Sequence, residues 1–110
     1  MYAQVTFFDG PRSAEVVEAS ERAGRERLTP AIEADPALRD ELVSLHVLRQ
    51  PGGAEIVVGI TRTRAGLDRI REVIRNTELL PGEDPALLPG PDRVEVYEVI
   101  ESRDWTAVRS

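Results

Sequence analysis

Leu42-Val43-Ser44-Leu45-His46-Val47-Leu48-Arg49-Gln50-Pro51-Gly52-Gly53-Ala54-Glu55-Ile56-Val57-Val58-Gly59-Ile60-Thr61 is the stretch that decides the fold. Val43, Leu45 and Val47 alternate with Ser44, His46 and Leu48, the period of a strand. Gln50-Pro51-Gly52-Gly53 then places proline and glycine at the two central positions of a type II turn. A second strand resumes from Ala54 to Thr61. The short connection makes the pair an antiparallel hairpin.

Working outward, Tyr2 to Phe8 alternates in the same way and stops at Asp9-Gly10-Pro11, so a strand and a turn open the chain. Ser13 is placed to cap a helix, with Glu15 in its first turn, and Val17, Ser20, Gly24, Leu28 and Ala31 recur at helical spacing. Thr29-Pro30 and Asp35-Pro36 predict a kink and a short second helical piece before Glu41. After the hairpin, Leu67, Ile70, Val73 and Ile74 form the inner face of another helix. Its outer face carries Asp68 with Arg71 and Glu72 with Arg75 at pairing distance.

The segment from Leu79 to Asp92 repeats Leu-Leu-Pro-Gly and holds four of the eight prolines. It reads as one irregular loop pinned by its leucine pairs, with a short helical turn begun by Asp84-Pro85. Arg93 to Glu101 is the last strand, and a polar tail carries Trp105.

The order strand, helix, strand, strand, helix, strand defines an α+β, ferredoxin-like βαββαβ architecture: a four-stranded antiparallel sheet with helices on one face. One such domain accounts for residues 1–110. The rows Ala3, Val5, Phe7; Val43, Leu45, Val47; Ile56, Val58, Ile60; and Val94, Val96 are expected beneath the helices. The mixed rows, with Gln4, Thr6, Phe8, Ser44, His46, Leu48, Val57, Gly59, Thr61, Glu95, Tyr97 and Val99, are expected on the open face. A face so apolar predicts a homodimer.

Composition removes several function classes. The net charge of −6 argues against nucleic acid and against an anionic membrane surface as partners. With no cysteine there is no thiolate chemistry and no Cys-based metal site. All 14 basic residues are arginine, so lysine general-base and Schiff-base mechanisms are excluded too. The N-terminus has no basic leader and no apolar run is long enough to span a bilayer, which gives an expectation of a cytoplasmic protein.

On these features the chain resembles the dimeric α/β-barrel proteins, and within them the small domains of the antibiotic-biosynthesis-monooxygenase-like group. The resemblance runs from Tyr2 to Glu101. It is carried by length, element order, Leu45-His46-Val47-Leu48-Arg49 leading into Pro51-Gly52-Gly53, and Val94-Glu95-Val96-Tyr97-Glu98-Val99. The segment from Leu79 to Asp92 also resembles one in actinobacterial members. The resemblance implies a dimer in which two sheets face each other and a small-molecule pocket in each protomer. It also implies, for some members, oxidation of polycyclic phenols by molecular oxygen without a cofactor. Haem-degrading members carry an Asn, Trp and His set that Asn76, Trp105 and His46 do not match in position.

His46 is the one side chain that ordinarily titrates near neutrality, and with Tyr97 it is the candidate catalytic pair: His46 as base, Tyr97 as hydrogen-bond donor to a phenol. Thr6, Phe8, Ser44 and Thr61 are candidate ligand-binding residues for an aromatic small molecule. Ser44 and His46 lack a nucleophile turn and make a poor triad. Glu83, Asp84 and Asp92 fit no metal-binding spacing, and no metal or cofactor is expected. Three readings stand at this point: a small-molecule-binding dimer with a partly apolar cavity, a cofactor-independent monooxygenase, and a ligand-free structural or regulatory dimer.

Overall fold

A computed structural model describes residues 1–105. Strand β1 (Tyr2–Phe8) leads to α1 (Ala14–Ala23), whose cap is Ser13: its Oγ accepts the Val16 amide at 3.2 Å. The helix does not break at Thr29-Pro30. A π-helical turn (Gly24–Leu28) carries it into α2 (Thr29–Ala34), and the Thr29 amide reaches back to the Gly24 carbonyl. Pro30 has no amide to give to the Glu26 carbonyl, and the wider turn absorbs that missing rung. A 3₁₀ turn (Pro36–Leu38) then leads to β2 (Leu42–Arg49) and β3 (Glu55–Thr61). Helix α3 (Arg64–Arg75), capped by Thr63, and β4 (Arg93–Glu98) complete the order. No helix among the described residues is long and apolar enough to cross a membrane.

The four strands form one sheet in the order β2-β3-β1-β4, every neighbour antiparallel. An α+β chain with this sheet and its helical layer is compatible with a ferredoxin-like fold.

The hairpin turn differs from the sequence expectation. Gly53, not Gly52, has the positive φ, +95°, and its amide donates to the Gln50 carbonyl at 2.9 Å. A type II turn needs the positive φ one residue earlier, so this is a type I turn closed by a left-handed glycine. Arg12 packs against that glycine so closely that a Cβ there would lie 2.7 Å from the Arg12 carbonyl oxygen.

The register corrects the assignment of faces. Gly66 of α3 sits on Thr61, and Glu21 of α1 holds Arg49, so the side of Thr61 and Arg49 is the helix side. Leu45, Val47, Val94 and Val96 point to that side, but the helices do not cover the edge strands: Leu45, Val47 and Val94 stay exposed. Ala3, Val5 and Phe7 pair with Ile60, Val58 and Ile56 on the opposite, open side, whereas Gln4, Thr6 and Phe8 face the helices with Gly59, Val57 and Glu55. The two central strands are therefore turned over relative to the reading of the sequence. Helix α3 comes closest at Thr61, where a Cβ on Gly66 would lie 2.9 Å from the Thr61 Cβ; at Gly59 no helix atom comes that near.

Among the described residues the buried apolar side chains are few: Ala23, Leu38 and Leu67. The loop after α3 is held by more than its leucine pairs, of which Leu80, Leu87 and Leu88 are half-buried. Arg27, from the π turn, grips Glu83 and also donates to Thr77 Oγ1 at 2.8 Å, while Leu79 remains 47% exposed. The turn at Asp84-Pro85 forms as a 3₁₀ turn (Pro85–Leu87), with Asp84 accepting the Ala86 amide.

Candidate functional site

The sheet sorts the candidate residues onto two surfaces. Thr6, Phe8 and Thr61 face the helices; Ser44, His46 and Tyr97 face outward. His46 and Tyr97 also occupy opposite edge strands. Three strand spacings of about 4.8 Å put them about 14 Å apart across the sheet, so within one protomer they do not meet on a single small substrate.

On the open face the pairs line up in three rows. Ser44, Ile60, Ala3 and Tyr97 form the first; His46, Val58, Val5 and Glu95 the second; Leu48, Ile56, Phe7 and Arg93 the third. Both middle columns are wholly apolar. The β4 border is a polar cluster: the Tyr97 hydroxyl donates to Glu95, Arg93 Nε lies 3.2 Å from Glu95 Oε1, and the Arg93 guanidinium stacks 3.9 Å over the Phe7 ring. The hydrogen bond to Glu95 holds the Tyr97 phenol above its ordinary pKa, so Tyr97 keeps its proton but already has an acceptor.

On the helix side Gln4 sits between Gly59 of β3 and Val96 of β4, one row from Thr6. Its Oε1 is buried and accepts no hydrogen bond from the described residues. Gly59 beside it is buried, yet a methyl group built on it would touch only Leu45 Cδ1, at 3.7 Å. The gap at Gly59 takes at least a methyl group, and the acceptor beside it has no donor among the described residues. Sequence reading passed over both residues. The available signal was one amide in β1 and one glycine in β3, each flanked on both sides by apolar residues.

Near the hairpin turn, Glu55 lies between two arginines. Arg49 donates to its Oε1 from Nε and Nη2 at 2.9 and 2.7 Å, and Arg12 Nη1 stands 4.0 Å from its Oε2. An open groove of about 480 Å³ passes Arg12, Val17, Glu18, Glu21 and Arg49. Its two arginines are matched by the two acids Glu18 and Glu21, so its lining carries no net positive charge to draw an anion. Asp84 and Asp92 accept backbone amides, from Ala86 and Asp9, and Glu83 is held by Arg27. Among the described residues no group of three histidine or acidic side chains is placed to hold a metal ion.

No family model matches the chain, and no curated protein is significantly similar to it.

Proposed function

We propose that this protein binds a small aromatic molecule bearing a hydroxyl group, in the space between its sheet and helices, and that it works as a homodimer of the dimeric α/β-barrel kind. The observation that carries the reading is the buried, unsatisfied Gln4 Oε1 beside the bare Gly59. An acceptor in that setting favours an O–H donor, and a phenol supplies one together with an apolar ring for Val57, Val94 and Val96. Thr6 is the neighbouring polar group on the same face. A second copy would cover the apolar columns of the open face, which otherwise meet water.

The binding reading is preferred to the monooxygenase reading because His46, the expected base, lies on the other side of the sheet from Gln4. The test is calorimetric titration with anthrone-type phenols, alongside oxygen uptake. Saturable binding that is lost in Gln4→Met and in Gly59→Val, without oxygen consumption, is the expected result. Equal binding by wild type and both variants would overturn the assignment of the site. Oxygen uptake that depends on His46 would restore the enzyme reading.

A further inference from the structure

The open face has an apolar centre and polar borders, the anatomy of a protein interface. The chain exposes 7648 Å², about 1,600 Å² more than the surface-to-mass scaling gives for a compact 12.2 kDa monomer. A standard interface takes about 800 Å² from each partner. Part of the surplus lies in the segment after β4, where Ile100 is 93% exposed, part at Leu45, Val47 and Val94 on the helix side, and part at Leu48 and Tyr97 on the open face.

Two aligned sheets can meet about a two-fold axis that runs either across the strands or along them. Across the strands, β2 lies over β2: His46 meets His46 and Glu95 meets Glu95, like against like in a chain of net charge −6. Along the strands, β2 lies over the partner's β4. His46 and Glu95 are the two ends of one row, so His46 then faces Glu95 of the partner subunit, and the pair occurs twice. Val58 faces Val5 between them.

We infer that the open face takes a second copy of this chain about a two-fold axis along the strands, and that a His46–Glu95 pair at each edge makes the dimer tighten as pH falls through the imidazole range. This rests on the homodimer proposed above and adds its geometry and its regulation. Within its own sheet His46 has only Ser44, Leu48 and apolar β3 side chains around it on that face. From the partner's β4 it would meet Glu95, flanked by Arg93 and Tyr97. Arg93 is committed to Phe7 and to Glu95, which leaves the carboxylate as the nearest group able to answer a new positive charge. A carboxylate partner favours the protonated imidazole, so the dimer binds more protons than two monomers do, and association strengthens between about pH 8 and pH 6.

Sedimentation equilibrium at both pH values tests this. Each pair lowers the wild-type dissociation constant by up to about tenfold for each unit by which it raises the imidazole pKa, so the two pairs together lower it by up to about a hundredfold. His46→Gln keeps only the shallow slope that comes from the declining net charge. Because the chain has no cysteine, the axis can be read directly with a short thiol-to-thiol linker. His46→Cys combined with Glu95→Cys should yield covalent dimers, and His46→Cys alone should not. Linking of His46→Cys alone would place the axis across the strands, and a full pH step retained in His46→Gln would remove the switch; either result overturns the inference. A wild type that dimerises while the double variant fails to link overturns the geometry alone. A wild type monomeric at both pH values overturns the homodimer itself.

Discussion

Arg27 and Glu83 meet as a fork on a carboxylate, Nε to Oε1 at 2.8 Å and Nη2 to Oε2 at 3.3 Å, with 13% and 3% of the two side chains exposed. The same carboxylate accepts the Leu80 amide at 2.8 Å. One ion pair thus ties the π turn of the first helical segment to the proline-rich loop, 56 residues away in sequence. Bidentate geometry fixes direction as well as distance.

Cutting that tie should free the loop before it unfolds the sheet. Arg27→Ala is expected to expose the segment from Leu79 to Asp92 to limited proteolysis and to rapid amide exchange, with the β1–β3 amides still protected. Equal protection of the loop in wild type and variant would show that its leucines suffice.

The pair also sets a pH dependence. Arg27 holds the Glu83 carboxyl below its ordinary pKa. A group depressed in the folded state adds stability that is complete above its unfolded pKa, about 4.3, and is lost as pH falls through the lower native value. The thermal midpoint should therefore drop below about pH 4 more steeply in wild type than in Glu83→Gln, measured by circular dichroism.

Gly53→Ala should destabilise by about 1–3 kcal/mol, because alanine resists the left-handed conformation and its methyl meets the Arg12 carbonyl. Gly52→Ala, at a position with no positive φ and nothing within 4 Å, should stay within about 0.5 kcal/mol of wild type. Urea denaturation of the two variants checks the turn type.

Gln4→Met should stabilise the fold by about 1 kcal/mol, since it removes an unsatisfied buried acceptor at nearly constant volume. Leu67→Ala, at a side chain only 1% exposed, should cost about 2–5 kcal/mol. A gain in stability joined to a loss of phenol binding in Gln4→Met is the pattern of a site kept for function.

The elements were legible because their signals are local. The Ser13 cap, the prolines at 30, 36 and 85 and the Pro-Gly-Gly turn each act within a few residues. The faces of β1 and β3 were not. Ala3, Val5 and Phe7 alternate with Gln4, Thr6 and Phe8, and Ile56, Val58 and Ile60 with Val57, Gly59 and Thr61, so either phase looks buriable. The close contact of Gly66 on Thr61 fixes which face of β3 meets α3, and that contact is not visible in the sequence. The turn type was hidden by two adjacent glycines, and the Arg27–Glu83 tie by its sequence separation. For the candidate site, the strands holding its residues were legible, but which residues share a surface depends on that same phase.

In β2 the ladder passes from Leu42 opposite Thr61 to Ser44 opposite Ile60, leaving Val43 as an extra residue, 46% exposed. Without it, every other residue of β2 would keep its partner and its face, whereas the loss of any residue between Ser44 and Arg49 would turn part of the strand over. Val43 is thus where this sheet can absorb a change in chain length during descent, and shorter relatives, compared across the hairpin, are expected to lack this residue rather than one of its neighbours.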